Sequence, residues 1–296
     1  MELLELVRAS PGLSAVLAAV FGLVIGSFLN VVIHRLPRML EAAWRAECAE
    51  LAAATPHAAA TAPRLGLATP RSACPACGAP IRAIHNLPVI SWLLLRGRCA
   101  DCRAAISVRY PLVELATAGV FAAVAWRFGW SLEAAAALIF SAYLIAMAGI
   151  DIDTQLLPDS LTMPLLWLGL LAAATFGRGP ATIPVDLKSA VLGAAFGYLS
   201  LWSVYHLFRL ATGKQGMGYG DFKLCAALGA WLGWQMLVPV ILFAAATGAL
   251  CGIALIALRG HGREVPIPFG PYLAAAGWLV MMWAPVLVAP WWALAR

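Results

Sequence analysis

Eight long apolar stretches run through this 296-residue chain, and they constrain its fold more than any other feature. A helix needs about 20 apolar residues to cross the hydrocarbon core of a bilayer. Hydrophobic residues make up 62% of the chain and charged residues 11%, whereas a soluble domain carries about 25% charged residues. A soluble core cannot absorb so much apolar surface, so the sequence predicts a membrane protein. The expected spans are 13–33, 111–129, 131–150, 162–176, 189–210, 222–235, 237–258 and 271–290.

The predicted fold class is an all-α polytopic membrane protein with about eight transmembrane helices, because no strand pattern is visible between the apolar stretches. Little separates the sixth stretch from the seventh at 233–235, so a tight hairpin and one broken helix both remain open. The first eight residues contain two acids and one base, and no small-residue cleavage site ends the apolar stretch that follows. We therefore expect a retained first span rather than a cleaved signal peptide.

One long polar interruption, residues 34–110, is rich in arginine and poor in acids. The positive-inside rule places such a segment in the cytoplasm. Alternation along the chain then puts both termini outside and the loops 151–161, 211–221 and 259–270 inside. The net charge of +6 is assigned to this topology, so the bilayer is an expected partner and nucleic acid is not. The expected domains are a first helix at 13–33, a cytoplasmic loop domain at 34–110 and a membrane domain at 111–290.

Two Cys-x-x-Cys pairs lie in the polar loop, Cys74 with Cys77 and Cys99 with Cys102. Two such pairs across a short segment can close a four-thiolate site, which suits zinc. Two disulfides or two redox pairs are the alternative, although a reducing cytoplasm disfavours stable disulfides. A zinc ion here would be structural, since a small loop gains its folding energy from the metal.

Acidic residues are few, and several of them flank predicted spans. Asp151 follows the apolar helix 131–150, where both the helix dipole and the nearby hydrocarbon disfavour a carboxylate. An acid that merely marks the membrane boundary is the alternative. Asp221 precedes an apolar helix, so taken alone it reads as a helix N-cap, and the same holds for Asp159.

The predicted topology brings Asp151 and Asp221 to the same depth on the same face. If their helices are neighbours, the two carboxyl groups cannot both ionise cheaply, and one keeps a proton near neutral pH. Such a pair supplies a base that activates water and an acid that protonates a peptide carbonyl, which is aspartic protease chemistry. Glycines at 216, 218 and 220 would let a substrate strand approach Asp221. The sequence contains no His-Glu-x-x-His, Gly-x-Ser-x-Gly or Walker motif.

At these residues the chain resembles the bacterial prepilin peptidases, the type 4 leader peptidases of the GxGD group of membrane aspartic proteases. The resemblance covers residues 13–290. The motifs that carry it are Gly26–Pro37, the two cysteine pairs, the Asp-x-Asp-x-x-x-Leu-Pro-Asp element from Asp151, the Gly-Tyr-Gly-Asp motif ending at Asp221, and Pro266–Tyr272.

This resemblance implies a function and a location that the residues alone do not. The substrates would be type IV prepilins and type II secretion pseudopilins, cut after a glycine at the cytoplasmic face of the bacterial inner membrane. The catalytic pair would be Asp151 and Asp221. Many members of the family also methylate the new N-terminus with S-adenosyl-L-methionine. No glycine-rich nucleotide loop follows a strand here, so the residues that would bind this cofactor stay unassigned.

Three other functions remain open. The first is a peptidase without methyl transfer. The second is an ion-conducting transporter with Asp151, Asp153 and Asp221 as ion ligands, since acids within a membrane often mark ion paths. The third is a zinc-loop membrane scaffold without catalysis. The position of these acids at one surface favours the peptidase over the transporter.

Overall fold

The apolar stretches all lie on helices in the computed structural model. The structure describes residues 10–52, 66–176, 185–214, 216–259 and 267–294, without the side chains at 83, 259 and 284–294. The helices are α1 Pro11–Ala52, α2 Ile90–Leu94, α3 Arg109–Phe128, α4 Leu132–Thr154, α5 Asp159–Phe176, α6 Leu187–Thr212, α7 Tyr219–Leu232, α8 Leu237–Arg259 and α9 Gly270–Leu294. Two isolated bridges, Ala73–Pro80 and Arg98–Ala105, are the only β pairing in these ranges. The all-α prediction is confirmed.

Among the described residues, five helices are long and apolar enough to cross a bilayer: α1, α3, α4, α6 and the helical stretch Trp234–Leu258. The chain is therefore a membrane protein. Helix α7 has 14 residues, which rise about 21 Å against a hydrocarbon thickness of about 30 Å. The number of helices that cross the bilayer, about eight, stays a prediction.

The chain forms two compact units, one up to Trp130 and one from Ser131. In the first unit α1 packs antiparallel to α3 at two glycines. A Cβ atom on Gly22 would lie 2.8 Å from Ala118 Cα, and one on Gly26 would lie 2.7 Å from Glu114 Cα. Small residues of this kind let membrane helices approach closely. Helix α1 continues to Ala52, so the polar segment expected from residue 34 begins as a helix.

In the second unit, α7 is buried on nearly every side and packs against α5, α6 and α9. Its crossing with α6 is so close that a Cβ atom on Gly193 would overlap the Gly229 carbonyl. The Trp231 indole N–H donates to the Leu165 carbonyl of α5 at 2.8 Å. A helix that is apolar all round belongs inside a bundle. This burial also encloses the first turn of α7, which contains Asp221.

The sixth and seventh apolar stretches form two separate helices. Gly233 adopts a positive φ of 81° after α7, and a 3-10 turn at Trp234–Met236 leads into α8. The left-handed backbone at Gly233 costs little because glycine has no Cβ atom. The sequence left open a tight hairpin and one broken helix. The structure has two helices joined by a short turn.

Candidate active site and metal cluster

Asp151 lies in the last turn of α4, which continues to Thr154 instead of ending at residue 150. Gln155 ends the helix with a left-handed backbone, and its N–H donates to the Asp151 carbonyl at 2.9 Å. The Asp151 side chain is 5% exposed. Its Oδ2 accepts the backbone N–H of Gly270 at 2.9 Å. This donor is the first residue of α9, where the helix dipole favours a negative charge.

Gly270 leaves no room for a side chain beside this carboxylate. A Cβ atom there would lie 2.6 Å from Asp151 Oδ2 and 3.1 Å from its Cγ. Gly270 belongs to the Pro266–Tyr272 motif, of which Pro266 lies outside the described residues, and the motif predicted no role for it. A backbone N–H can come from any residue except proline, so no pattern of residue types predicts such a long-range partner.

Asp221 lies in the first turn of α7 and is 7% exposed. Its Oδ2 accepts the Gly218 N–H at 3.3 Å. The capping role that the sequence suggested is thus present, but the carboxylate reaches back from inside the helix instead of preceding it. Helix α7, with 14 residues, is not among the five described helices that are long and apolar enough to cross a bilayer, so Asp221 does not lie within a membrane-length helix. Burial first, and the charge of Asp151 second, raise the pKa of Asp221 to about 7.

Leu157, in the turn between α4 and α5, connects the surroundings of the two aspartates. A Cβ atom on Gly220 would lie 2.6 Å from Leu157 Cβ, and one on Gly270 would lie 3.2 Å from Leu157 Cδ1. Gly220, which precedes Asp221, and Gly270, which donates to Asp151, therefore both lie against Leu157. The structure brings the two predicted acids into one buried neighbourhood.

The other two acids of this region are exposed. Asp153 is exposed in the last turn of α4. Asp159 begins α5. Each of its carboxylate oxygens accepts a hydrogen bond from the Lys223 ammonium group, with an N–O distance of 2.7 Å. This ion pair joins the start of α5 to the first turns of α7, two residues beyond Asp221. No sequence pattern predicts this ion pair, because an Asp and a Lys 64 positions apart carry no spacing signal.

The four cysteines of the polar loop form a cluster whose Sγ atoms all lie within 4.8 Å of one another. Cys74 Sγ and Cys102 Sγ are 3.8 Å apart. A tetrahedral zinc site with Zn–S bonds of about 2.3 Å has S–S edges of about 3.8 Å. All four thiols are free. The cluster is close enough to bind a metal ion, and its soft sulfur donors fit zinc.

The two cysteine pairs adopt the same turn. In the first turn the Cys74 N–H donates to the Ala79 carbonyl, and the Gly78 N–H donates to the Cys74 carbonyl. In the second turn the Cys99 N–H donates to the Ala104 carbonyl, and the Arg103 N–H donates to the Cys99 carbonyl. The fifth residue of each turn has a positive φ, 72° at Gly78 and 60° at Arg103. Each turn thus presents its two sulfur atoms in the same way.

The fold and the site define a class, a polytopic membrane protein with a buried aspartate pair and a four-thiol loop. Residues 20–128 match the bacterial peptidase A24 N-terminal domain and residues 138–253 match the type IV leader peptidase family. The chain belongs to the type IV leader peptidase family and is an enzyme of that family.

Three relatives illustrate this similarity, and each is named prepilin leader peptidase/N-methyltransferase. The protein of Aeromonas salmonicida is 53% identical over 95% of this chain and 94% of its own length. The protein of Pseudomonas aeruginosa is 50% identical over 96% and 95% of the two chains. That of Stutzerimonas stutzeri is 49% identical over both full lengths. No solved structure matches the chain.

Proposed function

We propose that this protein is a membrane aspartic endopeptidase that removes the leader peptide of type IV prepilins and type II secretion pseudopilins. It cuts after a glycine at the cytoplasmic face of the bacterial inner membrane. The names of its relatives support the substrate class, and the arginine-rich loop supports the orientation. The single observation that carries the proposal is the burial of Asp221 beside Asp151.

In the proposed mechanism Asp221 carries the proton and Asp151 is ionised. Asp151 takes a proton from water as the water oxygen attacks the peptide carbonyl carbon, while Asp221 gives its proton to the carbonyl oxygen. The tetrahedral intermediate then collapses: one of its hydroxyl groups returns a proton to Asp221 as the C=O bond re-forms, the C–N bond breaks, and the leaving amine receives the proton that Asp151 took. A pKa of about 7 on Asp221 suits a general acid that works near neutral pH.

The test is cleavage of a prepilin precursor by purified enzyme in proteoliposomes. Asp151→Asn and Asp221→Asn should each reduce cleavage by at least about a thousandfold, a loss on the scale of removing one member of a catalytic set. Asp153→Asn is the matched control, because Asp153 is an exposed acid on the same helix. Cleavage that persists in either buried-acid variant, with the protein folded and inserted, contradicts the proposal.

We further propose a second activity, methylation of the new N-terminal residue with S-adenosyl-L-methionine. The N-methyltransferase half of the relatives' printed names supports it. The amine would take the methyl group of the sulfonium, which becomes a thioether, and would lose a proton. Mass measurement of the processed pilin decides this: a product heavier by one methyl group is expected, and an unmethylated N-terminus in every sample excludes the second activity.

For the loop we propose a structural zinc ion held by Cys74, Cys77, Cys99 and Cys102. The ion would order a segment with little apolar core of its own. The domain boundaries at 13–33, 34–110 and 111–290 belong to the same proposal, with the loop domain between the first helix and the peptidase domain.

A further inference from the structure

A short segment of the polar loop, residues 84–94, exposes an unusual amount of apolar surface. We call it the apolar segment. Leu94 is 78% exposed and Ile84 67% exposed, and three more large side chains are open to their surroundings: Leu87, Ile90 and Leu93. Single exposed apolar residues are normal, but a contiguous group marks an interaction surface. The question is what covers it.

The backbone of the apolar segment is held in a strained turn. The Ile90 N–H donates to the Pro88 carbonyl at 2.5 Å, and Val89 between them has φ 59° and ψ −49°. This is a γ-turn with positive φ, which is rare and strained. It is especially unfavourable for a β-branched residue such as valine. A strained turn persists only where its surroundings hold it in place.

The group that holds this turn is Glu114 of α3. Its Oε2 accepts the Val89 N–H at 2.7 Å, and the Ser27 side chain of α1 also hydrogen-bonds to the same carboxylate. Glu114 is 7% exposed. An acid buried between two membrane-length helices is costly, so its bond to the loop backbone stabilises both partners. Glu114 lies inside the expected span 111–129, but it was not among the predicted site residues.

This bond fixes the depth of the apolar segment. Glu114 is the sixth residue of α3, about 7.5 Å along the helix axis from Arg109. The neighbouring Leu112 and Leu115 are exposed on a helix long and apolar enough to cross a bilayer, so they face lipid. A segment bonded to this turn lies at the level where the lipid-facing surface begins.

The orientation of the segment is fixed as well. The Trp92 indole N–H donates to the Ile106 carbonyl at 3.1 Å, and the Trp92 ring lies against Gly97. Trp92 therefore anchors α2 to the rest of the loop, while Leu93 and Leu94 stay exposed. Three exposed arginines flank the segment: Arg82, Arg96 and Arg98. Apolar side chains bordered by cations are typical of segments that lie in the interface of anionic bilayers.

We propose that the apolar segment is an in-plane membrane anchor, inserted at the boundary between headgroups and acyl chains of an anionic phospholipid bilayer. Its apolar side chains enter the acyl region and the flanking arginines meet lipid phosphates. The four-cysteine loop is then a membrane-docked element, tied down by Glu114 on one side and by lipid on the other. The other conceivable occupant is the apolar helix of a protein substrate, which the experiment distinguishes.

The experiment uses the full-length protein in nanodiscs of phosphatidylethanolamine and phosphatidylglycerol, with a genetically encoded benzophenone amino acid at Leu94. The matched control carries it at Asp101, an exposed charged residue of the same loop. Illumination should give phospholipid adducts at position 94 at a yield at least about tenfold above that at position 101. Omitting phosphatidylglycerol should lower the yield at position 94 severalfold, because the arginines lose their anionic partners.

Equal lipid yields at the two positions contradict the proposal. Lipid adducts at position 94 that are replaced by protein adducts when a prepilin precursor is added also contradict it, because they identify a substrate surface. A second measurement is amide hydrogen exchange of residues 84–95 in the same nanodiscs. Leu93→Glu/Leu94→Glu should raise the exchange rate at least about tenfold over Ala68→Glu/Thr69→Glu, which adds the same two charges at exposed loop positions outside the cysteine turns. Unchanged exchange overturns the anchor.

Discussion

The cysteine cluster and the aspartate site are both compact, but they are built over very different distances along the chain. The cluster uses residues 74–102 of one loop, and its two turns repeat the same local hydrogen bonds. The aspartate site needs α4, α7 and α9, and its key donor Gly270 lies 119 positions from Asp151. The cluster is thus specified locally, whereas the geometry of the aspartate site depends on how the second unit packs. Substitutions should therefore act in different ways in the two regions.

The largest of these effects is expected at the long-range contact itself. Gly270→Ala places a methyl group against Asp151 Oδ2, so it should displace the carboxylate and lower precursor cleavage about a hundredfold, a loss that a misplacement of about 1 Å can produce. Gly119→Ala is the matched control, since a Cβ atom there meets nothing within 4 Å. Cleavage rates of both variants in proteoliposomes provide the measurement. A Gly270→Ala enzyme as fast as the control would mean that α9 does not position Asp151.

In the locally specified region, removing one sulfur should abolish metal binding. Cys74→Ser takes one of four donors from the cluster, and zinc content after purification should fall to below about a tenth of the unmodified value, because binding and ordering of the loop are coupled. Cys48→Ser, at an exposed cysteine outside the cluster, should leave it unchanged. Metal content by elemental mass spectrometry checks this. Full zinc occupancy in the Cys74→Ser protein would refute the four-thiolate assignment.

Removing the ion pair between Lys223 and Asp159 should have a smaller effect on the packing of the second unit. Asp159→Ala should lower cleavage by about fivefold, since partly exposed pairs contribute about 1 kcal/mol and this pair positions the start of α7 without touching the reacting atoms. The charge swap Lys223→Asp/Asp159→Lys should recover most of the rate. A swap that is slower than either single change would show that the pair does not position the site.

The smallest effect compares the two cysteine turns with each other. Gly78→Ala should destabilise the zinc-bound loop by about 1 kcal/mol, because alanine is strained at the φ of 72° found there. Arg103→Gly, at the equivalent position with φ 60°, should stabilise it by a fraction of that amount. Chelator concentrations at half release of zinc measure both. Equal shifts in the same direction would contradict the equivalence of the two turns.

The sequence predicted what residue type and spacing can encode. Membrane-length apolar stretches predicted the all-α fold, and the cysteine spacing predicted a cluster that the structure assembles. It could not predict Gly270, because a backbone donor has no identifying side chain, or the pairing of Lys223 with Asp159, because neither residue is unusual at its position. Glu114 could have been noticed as a lone acid within an expected span, but its partner is a backbone N–H of the loop, which only the folded chain reveals.

In the proposed mechanism Asp151 and Asp221 act as one catalytic unit. Its most direct test is the cleavage rate of Asp151→Asn, Asp221→Asn and the double variant in the same proteoliposomes. If one proton is shared across the pair, either single change removes the whole mechanism, and all three variants should show the same residual rate. A double variant whose loss is the product of two smaller single losses would mean that the two carboxyl groups work independently, and the shared-proton mechanism would be wrong.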